Sequence, residues 1–151
     1  MKQIRAATAK DIEFLAKSSF DDFKSSVPFV TTIERLQSNL QMFCFSHEAK
    51  LTVVYDGDQL CGYMASSLSK LVQWNDDLIA IETLFYVFPE SRKTMVARML
   101  MKDFIHWAKQ MDCVLAMVTS RAALNGERVG KFYKSFGFTE MDTNYILSLS
   151  K

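Results

Sequence analysis

The sequence predicts an α/β (α+β) fold: a central mixed, mostly antiparallel sheet of about six to seven strands flanked by about four helices. Three observations carry that expectation. Short β-rich runs and longer stretches with helical spacing or helical start and stop signals follow one another in the order β-α-α-β-β-β-α-β-α-β. Two of the β-rich runs meet at Asp56-Gly57-Asp58, where Asp-Gly tolerates the positive φ of a tight hairpin and makes the flanking strands antiparallel neighbours. The run Cys113 to Val118 is continuously apolar, as suits a strand covered on both faces and lying centrally in a sheet.

Taken in order, Lys2 to Ala7 forms a short strand, and Thr8-Ala9-Lys10-Asp11 supplies a hydroxyl cap with an acid three positions on, ahead of the helical face Ile12, Leu15, Ala16. From Phe20 to Phe29 the pattern is irregular and aromatic, with Pro28 interrupting it. Ile33, Leu36, Leu40 and Phe43 then recur at helical spacing and mark a second helix from Thr31. Leu51 to Tyr55 and Leu60 to Leu68 are the hairpin strands. A polar loop at Trp74 to Asp77 precedes the strand Leu78 to Phe88, which Pro89 ends because it has no N–H for a ladder. Lys93 to Met111 carries Val96, Leu100, Phe104, Trp107 and Met111 on one face, the longest amphipathic helix of the chain. After Cys113 to Val118, Asn125 opens a helix to about Phe136, Gly137 stops it, and Tyr145 to Leu149 alternates like a closing edge strand.

A length of 151 residues suits one domain, 1–151, able to bury roughly two thirds of its unfolded surface without a disulfide or a metal. A hydrophobic share of 49% excludes a disordered chain, and a net charge of +1 disfavours bulk nucleic-acid or membrane binding while leaving room for a local anion site. Cys44, Cys61 and Cys113 are odd in number, lie in apolar runs and show no C-x-x-C spacing, which fits buried thiols in a reducing cytoplasm. The N-terminus opens no long apolar run, so neither a signal peptide nor a membrane span is expected. His106 falls off the apolar face of its helix and His47 in a connection, and no His/Cys/carboxylate spacing suggests a metal.

The chemistry is concentrated between Val87 and Phe138. Val87-x-Pro89-x-x-Arg92-x-x-Met95-x-Ala97 takes a strand end into a helix start, where open backbone N–H groups and the positive end of the helix dipole favour phosphate. Arg92 and Lys93 are unfavourably placed at a helix N-terminus unless an anion sits there, and a pyrophosphate-bearing cofactor is the natural occupant.

With Ile4-Arg5-Ala6-Ala7-Thr8 and Asp11-Ile12 at the start, Val87-x-Pro89 through Ala97-x-x-Leu100 in the middle, and Phe132-Tyr133 with Phe136-Gly137-Phe138 near the end, nearly the whole chain resembles the GNAT superfamily of acyl-CoA-dependent N-acyltransferases. In that family the middle motif reads Q/R-x-x-G-x-G/A and its amides hold the CoA pyrophosphate. Arg92 matches the first position and Ala97 the last, while Met95 stands where glycine is usual. Met95 must either keep an ordinary helical φ with its side chain turned away or spoil the cradle; Lys93, Thr94 and Arg98 add two charges and a hydroxyl, and Val96 completes the turn.

The resemblance implies acetyl-CoA as cosubstrate, with no metal. It makes Tyr133 the acid that protonates the departing sulfur, against the alternative of an aromatic packed in the helix–sheet core, a place that Phe132 beside it can take. Glu82, inside the apolar run Ile79 to Leu84, matches the glutamate that takes the amine proton directly or through water; a surface-facing strand residue is the other possibility. Main-chain groups of Phe85, Tyr86 and Val87 would pair with the pantetheine arm and polarise the thioester carbonyl. Asn125 either contacts the CoA arm or simply caps its helix, and Phe132 completes the cofactor set.

The expected activity is therefore N-acetyl transfer to a primary amine of a small molecule or protein by direct attack in a ternary complex, no cysteine being placed for a covalent intermediate. A catalytically degenerate GNAT-fold binding module is the rival. The acceptor is not legible; Asp21, Asp22, Asp76 and Asp77 lie in variable stretches where they could attract a cationic amine or merely be solvated, and the exposed final strand could pair two subunits as a homodimer.

Overall fold

One carboxylate fixes the first change of direction. In the computed structural model, which describes residues 1–26, 31–70, 76–120, 126–142, 145 and 147–149, strand β1 (Lys2–Ala6) leads into helix α1 (Ala9–Ser26). Asp11, only 6% exposed, accepts from two Arg5 nitrogens at 2.8 and 2.9 Å, from the Thr8 N–H at 2.7 Å and hydroxyl at 3.1 Å, and from the Tyr55 hydroxyl at 2.9 Å. The cap read from Thr8 and Asp11 is present in altered form: the hydroxyl donates to the acid, and the acid satisfies the cap residue's N–H. Because Tyr55 lies on β2 (Ala49–Asp56), this group ties β1, α1 and β2 together.

Helix α1 continues to Ser26, so the stretch from Phe20 expected to be irregular is helical as far as that residue. Ile12, Leu15, Ala16, Phe20 and Phe23 form one apolar face against the core. The Ser19 hydroxyl donates to the Leu15 carbonyl at 2.7 Å, so it is Tyr63 that donates to Ser19, at 2.6 Å. Helix α2 (Ile33–Phe45) starts at Thr32, whose hydroxyl accepts the Arg35 N–H, and buries Leu36, Leu40 and Phe43 as their spacing predicts. Pro28 and Trp74 lie outside the described residues.

β2 turns through Gly57, φ +59°, into β3 (Gln59–Lys70). β4 (Leu78–Val87) pairs antiparallel with β3, and β5 (Leu115–Met117) pairs parallel with β4, giving a mixed five-stranded sheet in the order β1-β2-β3-β4-β5. The strand count is thus five among the described residues, where six to seven were expected. Tyr145, Leu147, Ser148 and Leu149 lie outside every described strand. Alternation predicts a face, not the neighbour to which a strand pairs. β5 is likewise not central: it forms the edge of the described sheet, with Leu115 and Met117 exposed, because an apolar run records composition and not its place in the strand order.

One face of the sheet packs on α1 and α2, the other on α3 (Val96–Gln110) and α4 (Gly126–Lys134). Helix α3 begins three residues later than its periodicity suggests, since Pro89–Ser91 forms a single 3-10 turn and residues 92–95 turn before the helix. Gly137, φ +92°, closes α4: its N–H donates to the Lys134 carbonyl and the Phe138 N–H to the Tyr133 carbonyl, the paired bonds of a Schellman ending. Among the described residues no helix is long and apolar enough to cross a membrane.

Arg5, then the donors from Thr8 and Tyr55, hold the Asp11 carboxyl well below the ordinary carboxylate range. A depressed folded-state pKa gives stabilisation that is present above the unfolded value near 4 and is lost as pH falls through the folded one. Asp11→Asn is expected to cost about 1–3 kcal/mol at neutral pH and to flatten the loss of stability below about pH 4. Denaturant midpoints measured from pH 2 to 7 check this, and an acid limb identical to that of the unsubstituted chain would refute it.

Candidate active site

The site is set by an irregularity in β4. Ala65 pairs with Leu84 and Ser66 with Glu82, so Thr83 is an extra residue, a β-bulge, on β4. Strict alternation would place Glu82, Leu84 and Tyr86 on one face. The bulge breaks that phase. Leu84 and Tyr86 join the α1–α2 core, while Phe85 and Val87 join the α3–α4 core together with Ala80, two positions before Glu82. Glu82 is thereby turned toward Tyr133.

The same place ends the pairing of β4 with β5. β5 meets β4 only through Ile79, Ala80 and Ile81, and two residues beyond β5 the Thr119 N–H donates to Glu82 Oε2 at 3.1 Å. The Thr119 carbonyl in turn accepts from the Tyr133 hydroxyl at 2.9 Å. One residue is gripped from both sides, by a carboxylate of β4 that is 7% exposed and a phenol of α4 that is 6% exposed. From Thr83 to Val87, β4 has no partner strand on that edge among the described residues. Such an edge offers N–H and C=O groups to an extended ligand.

The turn after β4 presents further donors. Thr94 N–H bonds the Ser91 carbonyl, the Thr94 hydroxyl donates to that same carbonyl at 2.7 Å, and Val96 N–H leans on the Thr94 oxygen at 3.4 Å. Among the described residues the N–H groups of Lys93, Met95, Ala97 and Arg98 find no acceptor, so four amides stand open around the first turn of α3. Met95 keeps an ordinary helical conformation, φ −73° and ψ −5°, with its side chain 55% exposed. Methionine in the glycine position therefore imposes no backbone strain. Val96 is fully buried against Gly62, where an added Cβ would meet the Tyr86 carbonyl oxygen at 2.8 Å and Val96 Cγ1 at 3.0 Å. Glycine at 62 lets α3 start close beneath the sheet.

The basic side chains of the turn are partly engaged. Arg92 folds back so that its Nε donates to the Val87 carbonyl at 3.0 Å, its guanidinium lies over the Tyr86 ring and one terminal nitrogen stands 3.9 Å from Asp22. Arg98 lies over the Phe136 ring at 4.9 Å, and Lys93 is exposed. Phe132 is half-buried beside Phe85 and Phe136, at centroid distances of 6.2 and 5.2 Å, whereas Tyr133 takes the buried place that Phe132 was read as able to fill. Tyr86 packs among Phe23, Tyr63 and Phe88, and its hydroxyl donates to Asp22.

The sequence-predicted residues thus fall into one connected region: Glu82, Phe85, Tyr133 and Phe132 on the α3–α4 face, Arg92 to Arg98 at the end of β4, and Tyr86 on the reverse. Asn125 lies outside the described residues. Sequence reasoning missed Thr119, which acts through main-chain groups and leaves no side-chain signature. It also missed Gly62, whose signal was a lone glycine inside a strand pattern. No group of His, Cys, Asp or Glu among the described residues could hold a metal, and His47 and His106 are exposed.

The model of the acetyltransferase (GNAT) domain family matches residues 47–140, from just before β2 to beyond the end of α4. The chain belongs to this family. Among solved structures it is similar to a transcriptional regulator from Bacillus halodurans C-125 (TM-score 0.81, 16% identity, covering 99% of this chain and 100% of that one). It is similar also to a predicted acetyltransferase with acetyl-CoA from Clostridium acetobutylicum (0.78, 18%, 99% and 97%) and to glucosamine-6-phosphate N-acetyltransferase from Arabidopsis thaliana (0.74, 12%, 99% and 99%). At these identities the likeness shows the fold alone. Nothing matches among curated proteins. In this GNAT chain the residues matched by the family include the bulge, the open turn and Tyr133.

Burial first, with the charge of Glu82 added, raises the Tyr133 phenol well above its ordinary value. Glu82→Gln removes that charge while keeping an oxygen for the Thr119 N–H. The Tyr133 phenol of the variant should titrate at lower pH than in the unsubstituted protein, yet still above an ordinary tyrosine, as followed by NMR of ring-labelled tyrosine. An unmoved titration would disprove the coupling.

Proposed function

We propose that this GNAT chain is an N-acetyltransferase that uses acetyl-CoA and moves the acetyl group to a primary amine by direct attack in a ternary complex. The observation that carries the reading is the juxtaposition of the open amides at 93, 95, 97 and 98 with the bare edge of β4 and, where that edge parts from β5, the Glu82–Thr119–Tyr133 linkage. The turn fits a diphosphate: four open N–H groups at a helix start favour an anion, and Lys93 adds charge beside them. The bare edge fits the amide-bearing arm of the same cosubstrate, with backbone of Phe85, Tyr86 and Val87 as its partners and an N–H there polarising the thioester carbonyl. The Val87 carbonyl is the exception, since Arg92 already occupies it.

In this reading the amine nitrogen attacks the acetyl carbon, the carbon–sulfur bond breaks, and two protons must be handled. Glu82, directly or through water, takes the proton that the nitrogen sheds. Tyr133 holds its proton at neutral pH, as an ordinary phenol does, and turning its O–H away from Thr119 points that proton at the developing thiolate. Since the phenol is a weaker acid than a thiol, proton transfer follows the build-up of charge on sulfur and does not precede it. Burial pushes the Cys44 and Cys113 thiols up, which leaves both poor nucleophiles and favours direct attack over a cysteine-bound intermediate. Free thiols at all three cysteines agree with a reducing cytoplasm.

One observation favours a second reading, a GNAT-fold binding module without turnover. Both candidate groups, Glu82 and Tyr133, are committed to Thr119, which a purely structural clamp would also explain.

Calorimetric titration with acetyl-CoA is expected to show binding, and no heat at millimolar cosubstrate would end the transferase reading. With an amine that is turned over, Tyr133→Phe should lower kcat by about a hundredfold with little change in acetyl-CoA affinity. An undiminished kcat across pH 6 to 9 would remove Tyr133 from the acid role.

A further inference from the structure

Tyr86 is buried on the α1–α2 side of β4, yet its hydroxyl donates to Oδ2 of Asp22 on α1, whose side chain is 56% exposed. Burial, then this hydrogen bond, pushes the phenol up to about 12, so the hydroxyl remains a donor throughout the physiological range. The carboxylate is oriented by a phenol packed between Phe23, Tyr63 and Phe88, a rigid support for a group that faces water. Among the described residues Asp22 Oδ1 has no partner. The nearby cation is Arg92, at 3.9 Å from Oδ2, which is longer than a hydrogen bond; both side chains of this pair are more than half exposed, the situation in which ion pairs are weakest.

Asp22 therefore lies one tyrosine side chain away from the β4 segment whose other edge is bare, with one carboxylate oxygen open to solvent. A cation placed there would meet a pre-oriented acceptor. That cation cannot be the reacting nitrogen: a carboxylate in contact with an ammonium favours the protonated form, and attack on a thioester needs the free base. The bound charge and the attacking nitrogen must belong to different groups of one acceptor.

We propose that Asp22 is the specificity-determining residue for the acceptor, receiving its second, non-reacting ammonium, so that the preferred substrates are diamines and polyamines and not simple monoamines. The proposal rests on the transferase reading for its use of the word acceptor, but the ammonium site is a property of the protein alone. Arg92 connects the two. A diphosphate at the turn of residues 92–97 offers Arg92 short charge-assisted bonds in place of its loose contact with Asp22, and its withdrawal leaves the carboxylate to the incoming cation. Cosubstrate binding is therefore expected to tighten diamine binding.

The test titrates 1,5-diaminopentane and, separately, pentylamine into the protein by calorimetry, first alone and then with coenzyme A present. The diamine should bind about tenfold or more tightly than the monoamine, as one charge-assisted contact implies, and more tightly still with coenzyme A. Asp22→Asn keeps an oxygen for the Tyr86 hydroxyl but should erase the difference between the two amines. Asp21→Asn, an equal change of charge one residue away, should preserve it. Equal affinities in the unsubstituted protein, or a preference that survives in Asp22→Asn, would overturn the proposal. Failure of acetyl-CoA to bind, with the diamine preference intact, would sink the transferase reading and leave the ammonium site standing. Binding of acetyl-CoA without any diamine preference would do the reverse.

Discussion

The grip on Thr119 is the constraint from which the rest of the site follows. β5 meets β4 over only Ile79 to Ile81 among the described residues, and just beyond it the Thr119 N–H goes to a side chain, Glu82, while the Thr119 carbonyl takes the Tyr133 hydroxyl. Both bonds are partly buried and end on side chains that are themselves buried, so breaking either would cost Glu82 or Tyr133 a partner that water does not freely replace. The parting of β4 from β5 is thus held by hydrogen bonds and is not merely the absence of a strand.

What faces that parting depends on the bulge at Thr83. Without the extra residue Glu82 would share a face with Leu84 and Tyr86, toward α1 and α2. With it, Glu82 is turned toward α4, where its charge adds to burial in raising the phenol of Tyr133. The bulge also leaves Tyr86 on the reverse side, facing Asp22. One inserted residue therefore separates two polar arrangements, the Glu82–Thr119–Tyr133 linkage on one face of β4 and an oriented carboxylate on the other.

The turn that follows obeys a different economy. α3 must start close to the sheet for its open amides to stand beside the end of β4, and the buried Val96 against Gly62 permits that approach. Side chains then occupy what the amides leave: the Thr94 hydroxyl serves its own turn, Arg92 turns back to Val87 and Tyr86, and Met95 points into solvent. The open donors of the turn belong to the backbone, and Met95, at an ordinary helical φ, stands in it without strain.

The sequence by itself determined the kinds of element and much of their order. Gly57 and Gly137 occupy positive φ where turn chemistry demands it, Leu36, Leu40 and Phe43 line the buried face of α2, and Val87-x-Pro89 through Ala97 marks a strand end passing into a helix; these follow from local sterics and periodicity, which neighbouring residues fix among themselves. The same logic failed where the deciding partner is remote. The helical end of α1 after Phe20 and the edge position of β5 in the described sheet depend on which surfaces the chain packs against, and apolar content does not name them. Nor could alternation show which way Glu82 faces or that Tyr133 and not Phe132 is the buried aromatic. Those outcomes rest on the bulge in β4 and on two main-chain groups of Thr119, and a backbone N–H or carbonyl is the same at every residue until tertiary structure chooses its partner.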